Sequence, residues 1–128
     1  MLLHEELSDQ ILSAFYEVYN QLGYGFLEKV YQNALFIELK ERGLHVLAQR
    51  RCAVYYKGRE VGEYFSDIIV NEVIILELKA CDFIARDHES QLQNYLKASN
   101  IELGFILNFG PKPKFIRMVF SNTKKRRN

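Results

Sequence analysis

The chain has 128 residues, of which 48% are hydrophobic and 26% charged, and its formal net charge is +1. This length and composition are typical of one globular domain with its own hydrophobic core. No apolar run approaches the roughly 18 residues that a membrane-spanning helix needs, which argues against a membrane protein.

Two amphipathic helices are predicted in the first third of the chain. Apolar residues recur at helical spacing over residues 7–22, and Gly23-Tyr24-Gly25 ends this helix. A second helix runs from about Leu27 to Gly43, and its apolar face contains Leu27, Val30, Tyr31, Ala34, Leu35 and Leu39. Because the N-terminus turns acidic at once, we expect no secretory signal, a cytoplasmic location and reduced cysteines.

Three strands are predicted after these helices. Strand-like sequence runs from about Leu44 to Tyr56, turns at Lys57-Gly58 and resumes from Glu60 to Val70. Asn71-Glu72 then links two β-branched runs, which is a strong hairpin signal. The third strand is therefore Val73–Lys79.

A helix over Asp87–Ser99 is followed by two further strands, Leu103–Phe109 and Lys114–Phe120. The early hairpins and the helical crossover between Val73–Lys79 and Leu103–Phe109 predict a mixed sheet with helices on its faces. The crossover helix begins just past the strand Val73–Lys79, so its first turns overlook the end of that strand. We expect residues 1–121 to form a single domain and residues 122–128 to form a basic C-terminal tail.

The C-terminal part of the chain carries an excess of positive charge. Residues 103–128 contain seven basic and no acidic residues, whereas residues 1–102 have a net charge of −6. A basic end on an acidic body suits a polyanionic partner such as nucleic acid. A solvated tail explains residues 124–127 equally well. The candidate nucleic-acid-binding residues are Lys112, Lys114, Arg117, Lys124, Lys125, Arg126 and Arg127.

Three charged residues are expected to converge where the central hairpin ends. Glu77 and Lys79 are i and i+2 in a strand, so their side chains share a face about 6–7 Å apart. The hairpin brings Asp67 beside them. Two carboxylates and one amine form a candidate site for a divalent metal ion with a charged helper. The alternative is a Glu77–Lys79 ion pair on a solvated strand face.

Two helices add candidate residues to this site. Glu28 and Tyr31 are i, i+3 neighbours at the start of the second helix. Glu28 either complements the helix dipole or, lying partly toward the buried face, needs a positive partner. Gln91 and Tyr95 are one turn apart on the third helix, and they offer an amide and a phenol on the side that faces the candidate site.

These residues together resemble a known family. Gly25-x-x-Glu28-x-x-Tyr31, Asp67, Glu77-x-Lys79 and Gln91-Leu92-x-x-Tyr95, in this order and spacing, are similar to the small bacterial and archaeal GxxExxY proteins of the PD-(D/E)XK nuclease superfamily. The resemblance extends from about residue 8 to residue 120, and Ser66 replaces the proline of the superfamily pattern. It implies a restriction-endonuclease-like α/β fold, a three-layer α/β/α sandwich around a central mixed sheet.

The resemblance also implies a role for each charged residue. Asp67 and Glu77 would bind Mg²⁺ or Mn²⁺, and Glu28 would assist metal binding or orient a bound water. Lys79 would stabilise charge or help to activate that water. The implied function is metal-dependent hydrolysis of phosphodiester bonds, in DNA rather than RNA.

The remaining implications concern substrate contacts and partners. Gln91 and Tyr95 would hydrogen-bond the scissile or an adjacent phosphate, or position the catalytic groups. A homodimer is compatible with the resemblance, since many related nucleases dimerise to cut two strands. Two other functions stay open at this stage: a nucleic-acid-binding or regulatory module without turnover, and an interaction protein in a larger defence or repair assembly.

Overall fold

The centre of the fold is a mixed β-sheet with helices on both of its faces, as seen in a computed structural model that describes residues 2–125. In this range the helices are α1 (Glu5–Leu22), α2 (Glu28–Glu41) and α3 (Arg86–Ala98). The strands are β1 (Val46–Ala48), β2 (Arg51–Tyr56), β3 (Arg59–Phe65), β4 (Ile68–Val70), β5 (Ile74–Lys79), β6 (Leu103–Phe109) and β7 (Pro113–Val119). A short 3-10 helix, Asn122–Lys124, follows β7.

The strand order confirms the predicted mixed sheet. The five strands of the main sheet lie in the order β1-β4-β5-β6-β7, and β5 pairs in parallel with β6. The other neighbours in this sheet are antiparallel. The parallel pair needs a crossover connection, which α3 supplies between β5 and β6.

Both long strands of the predicted first hairpin are divided by a bend. Gln49 has a φ of 54°, a left-handed conformation that interrupts a strand, and it separates β1 from β2. On the other side of the same hairpin, Ser66 and Asp67 separate β3 from β4. β2 and β3 therefore leave the main sheet as a separate two-stranded arm, and Asp67 lies at the base of this arm.

Alternation along β5 gives each helical layer its own apolar face. Ile74, Leu76 and Leu78 pack in the core that includes α1 and α2. Ile75 lies on the opposite face, in a second core with Leu92 and Leu96 of α3. Because both faces are covered, the strand is an almost continuous apolar run. The structure confirms the three-layer α/β/α sandwich.

The buried face of α2 differs from the predicted one. Leu27 and Val30 are exposed, whereas Tyr31, Gln32, Leu35 and Leu39 are buried. The buried stripe runs from Tyr31 and Gln32 through Leu35 to Leu39 at helical spacing, and Leu27 and Val30 lie outside it. Glu28 lies three residues before Tyr31 and four residues before Gln32. It therefore extends this stripe beyond the edge of the core.

The segment after β7 packs against the C-terminal end of α3. The Asn122 backbone N–H donates to Glu102 Oε2 at 2.7 Å, and the Lys125 Nζ donates to the carbonyls of Ser99 and Ile101 at 3.0 and 2.8 Å. Part of the predicted tail is therefore attached to the domain. Arg126 and Arg127 lie outside the described residues. Across residues 2–125, no helix is long and apolar enough to cross a membrane.

Candidate active site

The hairpin of β4 and β5 brings Asp67 and Glu77 together. Ile68 pairs with Leu76, and one further step in this register places Asp67 opposite Glu77. Facing residues of antiparallel strands have Cβ atoms about 5 Å apart. The two carboxyl side chains therefore lie beside each other, and Asp67 Oδ2 accepts a hydrogen bond from the Leu78 backbone N–H at 2.7 Å. The predicted convergence of these carboxylates is present in the structure.

Glu77 is a buried carboxyl group with a strongly perturbed pKa. Its side chain is only 5% exposed. Burial, the charge of Asp67 and the hydrogen bond with Asp67 raise the pKa of Glu77 to about 9, while Lys79 opposes the shift. Two carboxylates in contact cannot both ionise without cost, so a proton or a cation must lie between them.

Lys79 and Glu28 complete the charged cluster. Lys79 is half-buried on the same face of β5 as Glu77. Glu28 is exposed, yet loss of hydration raises its pKa, Lys79 lowers it and Asp67 raises it further. Glu28 is therefore close enough to sense both charges. The structure brings together the four charged residues that the sequence nominated.

The Gly-x-x-Glu-x-x-Tyr segment has a clear structural role. Gly25 has a φ of 120°, which a residue with a side chain rarely adopts. The Tyr31 ring stacks on Phe109 with centroids 4.4 Å apart. Its hydroxyl donates to the Gly23 carbonyl at 2.6 Å and accepts from the Phe26 N–H at 3.1 Å. Tyr31 thus fixes the loop that leads into Glu28.

Two buried polar residues that the sequence did not nominate hold the site in place. The Gln32 side chain donates to the Asp67 carbonyl at 3.3 Å. Asn108 exchanges two hydrogen bonds with the backbone of Cys81, at 2.9 and 3.1 Å, and so fixes the chain directly after Lys79. A polar residue inside the apolar strand Leu103–Phe109 was the available signal for Asn108.

Gly110 allows this chain segment to pack closely. A Cβ atom added at Gly110 would lie 2.2 Å from the carbonyl oxygen of Cys81. A side chain is therefore incompatible with the observed backbone contact. Glycine at this position and Asn108 together hold the loop between β5 and α3 against the end of β6.

The third helix contributes in two different ways. Gln91 is exposed in the second turn of α3. Tyr95 is buried, and its hydroxyl donates to the Arg50 carbonyl at 3.2 Å. Burial is also the main cause that raises the pKa of Tyr95. Tyr95 therefore braces the bend next to Asp67, and contact of either residue with phosphate stays a prediction.

The first turn of α3 lies near Lys79. The His88 Nδ1 accepts a hydrogen bond from the Ala85 N–H at 3.1 Å, which caps the helix. Burial and the charge of Lys79 lower the pKa of His88. The helix start is thus close to the charged cluster, as the sequence predicted.

The candidate nucleic-acid-binding residues are spread over the surface. Lys114 pairs with Asn108, which pairs with Lys79, so these three residues form one row on the same sheet face. Two strand spacings separate Lys114 from Lys79 by about 10 Å. Arg117 lies on the opposite face and donates to the Leu3 carbonyl at 3.4 Å. Lys112 is exposed in the turn before β7.

Two candidates lie at the other end of α3. Lys124 is exposed in the 3-10 helix, and Lys125 binds carbonyl groups at the end of α3. A helix of this length measures about 20 Å, so both lysines are remote from the charged cluster. Among the candidates in the described chain, Lys114 shares the sheet face of the cluster most directly.

The carboxylate pair is compatible with a divalent metal ion. Residues 2–125 contain no group of three His, Cys, Asp or Glu side chains that could hold an ion unaided. Mg²⁺, however, is commonly bound by one or two carboxylates, with water and substrate phosphate completing its shell. Asp67 and Glu77 fit this donor set, and a bound cation would replace the proton that burial favours on Glu77.

Comparisons with known proteins agree with this geometry. A family model of the PD-(D/E)XK nuclease superfamily matches residues 5–118. The fold is similar to that in the crystal structure of SSO0001, with a TM-score of 0.57 and 18% sequence identity over 73% of this chain. This chain spans 50% of the length of that protein. A search of the curated proteins gives no significant match. The restriction-endonuclease-like α/β fold is thereby confirmed.

The first prediction concerns Glu77 and pH in the absence of metal. Its pKa is about 9 in the folded protein and 4.5 for an ordinary glutamate, as in an unfolded chain. Between these values only the folded state holds the proton, so stability falls as pH rises from about 5 to 9. Glu77→Gln removes this titration. The variant should gain about 3 kcal/mol over wild type between pH 5 and pH 7.

Urea unfolding at several pH values measures this difference. Mg²⁺ added at pH 7 should stabilise wild type more than Glu77→Gln. Wild-type stability that is flat or rises over this window would contradict the burial of an uncompensated carboxyl group.

The second prediction concerns the hydroxyl group of Tyr31. Tyr31→Phe keeps the ring on Phe109 but removes both hydrogen bonds to the loop before α2. We expect a loss of about 1–2 kcal/mol in unfolding free energy and faster hydrogen exchange at the Phe26 amide. Tyr16→Phe, at an exposed position of α1, is the matched control. Equal stability of the two variants would show that the tether contributes nothing.

Proposed function

The chain belongs to the PD-(D/E)XK nuclease superfamily, and we propose that it hydrolyses phosphodiester bonds of nucleic acid with the help of a divalent metal ion. The observation that carries this proposal is the contact between Asp67 and Glu77 beside Lys79. A carboxylate buried beside a second carboxylate destabilises a protein unless it has a compensating ligand. A divalent metal ion bound for catalysis would compensate for this energetic cost.

Asp67 and Glu77 would hold Mg²⁺ or Mn²⁺, with Glu28 as the third acidic group of the cluster. When bound, such an ion lowers the pKa of a bound water and neutralises phosphate oxygens. Glu77 must lose its proton for this, which the positive charge of the ion favours. Asp67 is kept in place by the Leu78 N–H and, through its backbone, by Gln32.

Lys79 and Glu28 have complementary tasks in this proposal. The Lys79 ammonium group is half-buried, so its charge is less screened than that of a surface lysine. It stabilises the negative charge that develops on the phosphate as water attacks. Glu28 is exposed at the mouth of the site, where its carboxylate accepts a hydrogen bond from the attacking water and orients it.

The substrate backbone would follow the sheet face that carries these residues. Lys114 lies in the same row as Lys79 and Asn108, at a separation that suits a neighbouring phosphate. Gln91 is exposed on α3 above this face and offers an amide to phosphate. Tyr95 acts mainly by positioning Asp67 through the bend at Arg50.

Within the superfamily we propose membership of the GxxExxY proteins. Support comes from the loop geometry, because Gly25 and Tyr31 shape the segment that presents Glu28. DNA is the proposed substrate ahead of RNA, and a homodimer in the cytoplasm is the proposed form. The preference for DNA and the proposed homodimer rest on the family resemblance alone.

The third prediction tests the reaction. Purified protein should cut labelled DNA in Mg²⁺ or Mn²⁺ and stop cutting when the metal is chelated, with RNA run in parallel. Glu77→Gln and Lys79→Met should each lower the cleavage rate at least about 100-fold. Lys40→Met, an exposed lysine near the far end of α2, should cut at the wild-type rate. Binding without cleavage in every metal would favour a non-catalytic binding module instead.

The fourth prediction tests the path of the backbone. Lys114→Glu should weaken DNA binding and reduce the slope of log K against log salt concentration by about one or more. Lys124→Glu reverses the same charge at the other end of α3 and should leave the slope almost unchanged. Equal effects of the two variants, measured by fluorescence anisotropy, would mean that binding has no preferred path.

A further inference from the structure

Two loops beside the charged cluster expose large apolar side chains. In the loop between α1 and α2, Tyr24, Phe26 and Leu27 are 55%, 49% and 81% exposed. In the loop between β5 and α3, Phe83 is 72% exposed. Single exposed apolar residues are common, but a group of them beside a reactive cluster marks an interaction surface. We refer to the three aromatic residues, Tyr24, Phe26 and Phe83, as the aromatic rim.

Both loops belong to the mouth of the same site. Leu27 directly precedes Glu28, and the loop that carries Phe83 begins just after Lys79. The Tyr24 hydroxyl donates to Asp82 Oδ1 at 3.4 Å, which joins the two loops. A substrate that reaches Glu28 and Lys79 must therefore pass beside the rim.

The rim is anchored on its inner side. The Phe26 ring meets the buried Tyr31 ring edge to face, with centroids 6.1 Å apart. The loop of Phe83 is attached to β6 through the two hydrogen bonds between Cys81 and Asn108. The rings are thus presented by loops that the core holds in position, which lowers the entropy lost when a ligand stacks on them.

Two cations accompany the rings. Lys29 follows Glu28 in α2, and Arg86 begins α3 three residues after Phe83. Both are exposed, and neither forms an ion pair with a residue in the described range. Aromatic faces with nearby cations are the combination that binds bases and phosphates of an unpaired nucleic-acid strand. A purely apolar protein partner would leave these charges without a counterpart.

We propose that the aromatic rim stacks on unpaired bases, so that the substrate is a single strand or the frayed end of a duplex. This inference rests on the proposed nuclease function and names its substrate class. In an intact duplex the base faces are covered by neighbouring bases, and exposing one costs unstacking energy. Rings at the mouth of the site gain contacts only where bases are already free.

The fifth prediction compares two forms of one sequence. Binding of a short single-stranded oligonucleotide and of its blunt duplex is measured by fluorescence anisotropy in Ca²⁺ with the full chain. Phe83→Ala should weaken single-strand binding about 5- to 100-fold, the loss of one base–aromatic stack, and change duplex binding less than about twofold. Tyr16→Ala, at an exposed tyrosine of α1, should change neither.

Two further measurements separate stacking from other roles of Phe83. Phe83→Trp should restore the single-strand binding that Phe83→Ala loses, because the tryptophan ring is larger than that of phenylalanine. Abasic sites beside the scissile phosphate should remove the difference between wild type and Phe83→Ala. Wild-type single-strand binding by Phe83→Ala, an equal loss on both substrates, or a loss that persists on the abasic strand would each overturn the proposal. The proposal would also be overturned if the only effect of Phe83→Ala were to convert a dimer to a monomer, as measured by sedimentation.

The outcome for the rim can be distinguished from the outcome for the nuclease function. Metal-dependent cleavage without any effect of Phe83→Ala leaves the nuclease function in place and removes the stacking role. Single-strand binding that depends on Phe83, in a protein that cuts nothing, supports stacking and removes the nuclease function. Absence of binding to either substrate overturns the stacking proposal.

Discussion

A carboxyl group buried against a second carboxylate is the constraint on which this structure depends. Glu77 follows three apolar residues in its strand, and it faces Asp67 at the base of the β2–β3 arm. Desolvation penalises the charged form of Glu77, and the proximity of Asp67 adds to that penalty. A protein retains such a pair when a ligand compensates for its cost, and a divalent cation is the ligand that suits two carboxylates.

Most of the surrounding scaffold serves to hold backbone rather than to do chemistry. Gln32 binds the backbone carbonyl of Asp67, and Asn108 binds that of Cys81, two residues after Lys79. Tyr95 binds the carbonyl of Arg50 at the bend. Tyr31 does the same for the loop before Glu28. Buried polar groups that are fully hydrogen-bonded rigidify a site, because a shifted backbone would leave them unsatisfied. Positioning in this protein therefore comes from side chains outside the charged cluster.

Local patterns explain which parts of the fold could be predicted. The alternation of β5 was readable, so the shared face of Glu77 and Lys79 and their approach to Asp67 followed from strand geometry. The division of the first hairpin at Gln49 was not readable, because a left-handed residue in a strand depends on how the arm packs on α3. Helical spacing predicts that Leu27 belongs to the apolar face of α2. The start of this helix extends beyond the core, so Leu27 is exposed.

The sequence by itself determined a mixed sheet with helices on its faces and the charged residues Glu77 and Lys79 at the end of β5. Both follow from the fixed repeats of helix and strand, which depend only on neighbouring residues. The tertiary structure alone decided that Asn108 holds the chain after Lys79, that Lys125 caps α3, and that Tyr24 joins the loop of Asp82. These relations join residues far apart in the chain, so they arise from packing between elements and leave no periodic trace.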